Sequence, residues 1–169
     1  PKGVNYVQKK IYRIFPEENK VKLEDETINY DILIVATGSK IAPEEVEGMK
    51  GKNWHKNVFD FYTYEGALAL RNKLRDWQGG KMVVHLTEMP IKCPVAPLEF
   101  AFLADSYFKE KGMRDKVELT YVTPLSGAFT KEKSAETLGY LLEEKKINLE
   151  IDFAIESVDN ENNKIIDYG

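Results

Sequence analysis

Cysteine is nearly missing from this chain: among 169 residues there is one, Cys93, and only two histidines, His55 and His85. A single cysteine excludes an internal disulfide framework and fits a reducing compartment. The histidines lie far apart with no further ligand at suitable spacing, so no metal site is expected, and His85, inside an apolar run, reads as a satisfied structural histidine. No apolar run approaches membrane-spanning length, and no signal-peptide pattern opens the sequence. An excess of positive charge is lacking too: 24 Lys and Arg against 28 Asp and Glu give a net charge of −4, which argues against nucleic-acid binding. Lys109, Lys111, Arg114 and Lys116 do cluster, but acidic residues interrupt them and they read as a solvated helix end. Glycine is absent throughout residues 81–111, where a dinucleotide-binding turn would need it for close backbone approach to a pyrophosphate.

What that stretch does contain organises the rest. Residues 82–86 form an apolar strand. A turn carrying Pro90, Pro94 and Cys93 follows, and an amphipathic helix starts at about Pro97, where proline is tolerated in the first turn. In strand–loop–helix units ligands sit at the loop. A thiol at a helix N-terminus has its thiolate stabilised by the dipole and the free N–H groups, which makes Cys93 a candidate nucleophile. The other reading is a small buried hydrophobe. Glu99 has two readings as well, a proton acceptor near the thiol or ordinary complementation of the helix dipole.

With 43% hydrophobic and 31% charged residues, the chain can build a globular core. Residues 4–15, 20–23 and 27–30 are short strand-like runs separated by polar turns, a meander. Ile32 to Val35 is continuously apolar, as in a parallel strand buried on both faces, and the small residues Ala36, Thr37 and Gly38 after it allow a sharp turn. Residues 41–57 read as an irregular connection. Residues 64–77 have helical spacing, with Gly79 and Gly80 as the stop signal. Residues 117–122 read as a second strand, 131–146 as a helix with Leu138, Leu141 and Leu142 inward, and 147–151 as a third strand. Strand, helix, strand, helix, strand with long connections predicts a parallel sheet. Residues 155–165 align without a gap on residues 11–21, which predicts a second meander. The aromatic residues Tyr62, Tyr64, Phe100, Phe102, Tyr107 and Phe108 are expected in the core or an interdomain surface.

The meander followed by Tyr30-Asp31-Ile32-Leu33-Ile34-Val35-Ala36-Thr37-Gly38-Ser39 resembles flavoproteins of the pyridine nucleotide–disulfide oxidoreductase superfamily. The resemblance implies an α/β fold, a Rossmann-like doubly wound parallel sheet of the FAD/NAD(P)-binding type with small antiparallel meander pieces. It implies FAD as cofactor, with Ala36, Thr37 and Gly38 near the flavin nucleotide. It further implies three segments: residues 1–40 from the FAD domain, residues 41–154 as an NAD(P)-binding-like domain, and residues 155–169 as the start of the second FAD-domain meander. The chain is then expected to be an internal piece of a longer protein, soluble, with little bound flavin and no activity of its own.

Two features argue against a nicotinamide donor: the glycine-free loop, and a second strand that ends in Thr123-Pro124-Leu125 without an acidic residue for a ribose hydroxyl. Lys92-Cys93-Pro94-Val95-Ala96-Pro97-Leu98-Glu99-Phe100-Ala101-Phe102-Leu103, then Asp105, Tyr107, Lys111-Gly112 and residues 114–121, resemble the sulfide:quinone oxidoreductase and flavocytochrome c sulfide dehydrogenase family. That resemblance implies that Cys93 is a redox cysteine taking up sulfide sulfur, pairing with a second cysteine outside this chain, with electrons passing through FAD to a quinone. It implies a cytoplasmic protein or one held peripherally at a membrane through elements not in this sequence, and allows a homo-oligomer. Some members carry a further cysteine near positions 57–61, and here there is none. The alternatives are an NAD(P)H-dependent flavin oxidoreductase with a degenerate nucleotide loop, and a non-catalytic binding module.

Overall fold

The computed structural model describes residues 3–169. They fall into two compact units, one ending at Ser39 and the other spanning Lys40–Gly169. In the first unit three short strands, β1 (Ile11–Phe15), β2 (Lys20–Leu23) and β3 (Thr27–Asn29), form an antiparallel meander in that order. Asn19 makes the β1–β2 turn in the left-handed region (φ 51°), which asparagine tolerates better than most residues. Val21 and Leu23 are buried, and Lys9 ties the sheet edge to Asp25 and Glu26.

The run after the meander departs from the sequence reading. Residues 33–40 form no strand, and Ile32 and Ile34 are each 83% exposed. A parallel strand is held by ladders to its neighbours, and no described strand pairs with this segment.

The second unit is built around a parallel sheet of β4 (Gly80–His85), β5 (Val117–Val122) and β6 (Asn148–Glu150), in spatial order β4-β5-β6. Helix α1 (Tyr64–Asp76) precedes it, α2 (Ala96–Glu110) links β4 to β5, and α3 (Glu132–Glu144) links β5 to β6. The pairing Met82↔Leu119 and Val84↔Tyr121 puts alternate residues of both strands on one face. Val84, Leu86, Leu119 and Tyr121 there meet Leu98, Ala101, Ala104 and Phe108 of α2 and Leu142 of α3 in one buried cluster. This is the α/β, parallel-sheet architecture that the sequence pattern requires.

The glycines at 79 and 80 act differently from the stop signal expected of them. Helix α1 has already ended at the extended Trp77. At Gly79 (φ 114°) a Cβ would stand 2.6 Å from the Lys116 carbonyl, so the residue is needed where the chain entering β4 passes the start of β5.

Basic residues that read as a solvated helix end instead close the core. Asp105 in α2 is 0% exposed, and Lys109, Arg114 and Lys145 converge on its carboxylate, with Arg114 Nε at 2.7 Å. Arg114 also donates to the carbonyls of Val117, Lys145 and Lys146, tying the end of α3 to the start of β5. Burial alone would raise the Asp105 pKa, but hydrogen bonds from Lys109 and Arg114 outweigh it and hold the group below its ordinary value.

A second hairpin, β7 (Ile155–Asp159) and β8 (Lys164–Asp167), completes the unit. It docks on the loop before α1: the Val158 N–H donates to the Glu47 carbonyl, and Asn53 donates twice to Asn160, from its N–H to the side-chain oxygen and from its side-chain amide to the carbonyl. Among the described residues no helix is long and apolar enough to cross a membrane, and no group of three His, Cys, Asp or Glu could hold a metal.

Candidate functional site

Cys93 sits in the loop between β4 and α2, at the carboxyl end of the sheet, where open α/β folds place their ligands. It is exposed, which removes the buried-hydrophobe reading. Its backbone is left-handed at φ 53°, a region that a non-glycine residue enters only where the surroundings impose it. Two donors converge on its carbonyl, the Ala96 N–H at 3.0 Å and the Tyr62 hydroxyl at 3.4 Å. Cys93 therefore stands three residues before the first residue of α2, with its carbonyl held by the Ala96 N–H and by the Tyr62 hydroxyl.

Tyr62 belongs to a short segment ordered by Asp60. The Asp60 carboxylate accepts from the N–H groups of Tyr62 (3.0 Å) and Thr63 (2.7 Å) and from the Thr63 hydroxyl (3.1 Å), and it meets His55 Nε2 at 3.1 Å. Thr63 in turn caps α1 by accepting from the Gly66 N–H. Gly66 is required because a Cβ there would strike the Asp60 carboxylate. Burial tends to raise the Asp60 pKa, yet the hydrogen bonds from Thr63 and His55 leave it lowered, so the carboxylate stays ionised as the hub. Phe61 stacks on Phe100 of α2 (4.7 Å between centroids, 8° between planes), which joins this segment to the helix after Cys93. Sequence reading placed Tyr62 among core or interdomain aromatics and gave Asp60 no role. The signal available was Asp60 three residues before the Thr63 cap.

His85, at the end of β4, is not the satisfied histidine expected. Its Nε2 is buried without a hydrogen-bond partner among the described residues, and its ring meets Phe153 edge-on at 5.5 Å. Desolvation pushes its pKa down to about 4, so the ring is neutral at ordinary pH. Glu99 lies in the first turn of α2 and lines a shallow apolar groove of about 440 Å³ with Val95, Phe102, Leu103 and Leu138.

Ala36, Thr37 and Gly38 belong to the first unit and Cys93 to the second. All three are exposed, and Gly38 has φ 70° with nothing within 4 Å of where a Cβ would stand. Small residues and an open backbone fit the close approach of a nucleotide.

No family model matches the chain. It is 29% identical over 150 residues to the mitochondrial sulfide:quinone oxidoreductase of Dictyostelium discoideum, covering 88% of this chain and 33% of that protein. It is 30% identical over 131 residues to the sulfide-quinone reductase of Aquifex aeolicus (strain VF5), covering 75% of this chain and 29% of that one. Among solved structures it matches the sulfide:quinone oxidoreductase from Aquifex aeolicus with a TM-score of 0.70 and 23% identity, over 95% of this chain and 39% of that chain. The chain spans about a third of the length of the curated relatives it matches. By these likenesses, which run through the β4–Cys93–α2 unit and well beyond it, the chain is a relative of the sulfide:quinone oxidoreductases.

Proposed function

We propose that this chain is the middle of an FAD-dependent oxidoreductase that oxidises sulfide or a related sulfur species, with Cys93 as the sulfur carrier and a quinone as the final acceptor. The observation that carries the reading is the presentation of Cys93: the only thiol of the chain is exposed at the carboxyl end of β4, held in a left-handed backbone at the foot of α2. The curated relatives, named for sulfide and quinone, support the substrate class.

Ala36, Thr37 and Gly38 are the residues of this chain that would lie against the nucleotide. FAD, when bound there, would supply the two-electron acceptor between the sulfur and the quinone. With Cys93 in a disulfide with a second cysteine outside this chain, hydrosulfide attacks the Cys93 sulfur, the S–S bond breaks, the partner cysteine leaves as a thiolate carrying the electron pair destined for the flavin, and Cys93 keeps the incoming sulfur as a persulfide. A nicotinamide donor is disfavoured by the β4–α2 loop, which has no glycine for close approach to a pyrophosphate.

The test is anaerobic mixing of the flavin-loaded protein with sulfide or with NADH while flavin absorbance is followed. Bleaching by sulfide and none by NADH is the expected result. Bleaching by NADH alone would return the protein to the nicotinamide-dependent class, and failure of the intact protein to retain FAD would favour a binding module.

A further inference from the structure

The Cys93 backbone is unusual, and something must hold it. Residues other than glycine, asparagine and aspartate rarely take φ near +53°. The Ala96 N–H bond to the Cys93 carbonyl closes a turn through Pro94 and Val95, ahead of the first helical bond from the Glu99 N–H to the Val95 carbonyl, and does not by itself select that conformation. The second donor to the same carbonyl comes from 31 residues earlier, the Tyr62 hydroxyl.

Tyr62 is placed to do this by contacts of its own. Its N–H is fixed by Asp60, which is held in turn by Thr63 and His55. The neighbouring Phe61 stacks on Tyr62 (5.1 Å) and on Phe100 of α2 (4.7 Å), so the segment cannot slide relative to the helix that follows Cys93. Burial, followed by the nearby Cys93 and Tyr121, raises the pKa of the phenol, which keeps it a protonated donor beside the thiol. The 3.4 Å separation is long for an O–H···O bond. Bonds that serve a reacting group are often long before substrate arrives and tighten afterwards.

Resting on the reading of Cys93 as the sulfur carrier, we infer that Tyr62 is a positioning residue whose hydroxyl holds the Cys93 peptide in the conformation that presents the thiol.

The chain has one cysteine, so alkylation by iodoacetamide reads that thiol alone. Tyr62→Phe keeps the stacked ring and removes only the hydroxyl, whereas Tyr62→Leu removes both. The expected result is a fall in alkylation rate of about fivefold in both variants, the factor that one net hydrogen bond is worth, with the melting temperature of Tyr62→Phe lowered by no more than that one bond and that of Tyr62→Leu lowered further. A wild-type or faster rate in Tyr62→Phe, with slowing confined to Tyr62→Leu, would assign the effect to ring packing and overturn the inference. Hydrogen exchange at the Ala96 amide, which shares the Cys93 carbonyl, is a second readout: severalfold acceleration in Tyr62→Phe supports the inference and no change contradicts it. In the flavin-loaded protein Tyr62→Phe should lower kcat for sulfide and leave KM alone. If Cys93→Ser keeps full sulfide turnover, the sulfur-carrier reading fails and the alkylation rates still decide what Tyr62 does to the thiol. If Cys93→Ser is inactive while Tyr62→Phe alkylates and turns over like wild type, the positioning role alone falls.

Discussion

The two hairpins of this molecule, one in each unit, are the same object in different company. Shifting β1–β2 by 144 residues reproduces β7–β8 pair for pair: Ile11↔Leu23 becomes Ile155↔Asp167, Ile14↔Val21 becomes Val158↔Ile165, and Phe15↔Lys20 becomes Asp159↔Lys164. The irregularity between residues 11 and 13 recurs between 155 and 157, and Asn19 at φ 51° matches Asn163 at φ 53°. Their surroundings differ. The first hairpin continues into β3, followed by an apolar run left exposed. The second docks through Val158, Asn160 and Asn163 onto the 47–57 loop of a unit with a closed core. Turn chemistry sets the hairpin locally, and tertiary contacts decide what each one carries.

The largest effect that would sharpen this contrast lies in the core of the second unit. Asp105→Ala strands Arg114 and Lys109 without their buried carboxylate and should cost about 3 to 5 kcal/mol, read as a lower denaturation midpoint of the second unit with exchange protection at Val21 in the first unit unchanged. The pH dependence has a definite sign. The folded pKa of Asp105 is depressed, so its stabilisation is fully present above the unfolded carboxylate pKa and is lost as pH falls through the folded value. Asp105→Asn should flatten the acid limb of the stability curve, and an unaltered limb would show that other carboxylates control it.

Next is Gly48→Ala. Gly48 has φ 75°, and a Cβ there would strike the Val158 carbonyl. The substitution should cost roughly 2 kcal/mol through strain and undocking, with faster amide exchange at Val158 and none at Val21. Equal loosening of both hairpins would break the comparison.

The turn asparagines provide the matched test. The Asn163 side chain also accepts from Asn53 and Asn57, whereas Asn19 bonds through its backbone, donating to the Pro16 carbonyl and accepting from the Tyr30 N–H. Asn163→Gly should therefore lose about 1 kcal/mol, while Asn19→Gly, whose φ suits glycine, should change stability by only a few tenths. Thermal melts of the two variants check the difference. The smallest effect belongs to Lys9→Ala, which removes surface ion pairs to Asp25 and Glu26 and should shift stability by a few tenths of a kcal/mol, less at high salt.

The sequence shows clearly the elements whose pattern is local. β4, β5, α2 and α3 follow from apolar spacing, and both hairpins follow from their short branched runs and polar turns. Cys93 stood out because it is the only thiol and is set among prolines before a helix. Features that depend on distant partners could not be read in the same way. The run 32–35 has the composition of a buried strand but no described neighbour to pair with. Asp105 looks like any helical carboxylate until Arg114 and Lys145 arrive from later elements. Tyr62 is one aromatic among many until the fold places its hydroxyl against a carbonyl 31 residues away. His85 was readable as buried, but its unpartnered nitrogen was not.

The account's central claim is that sulfur passes through Cys93, and the most direct measurement is mass spectrometry of the Cys93 peptide after one anaerobic turnover of the flavin-loaded protein with sulfide. The account predicts that this peptide gains sulfur as the flavin bleaches, and that bleaching is lost in Cys93→Ser. An unmodified Cys93 peptide together with wild-type bleaching in Cys93→Ser would contradict it.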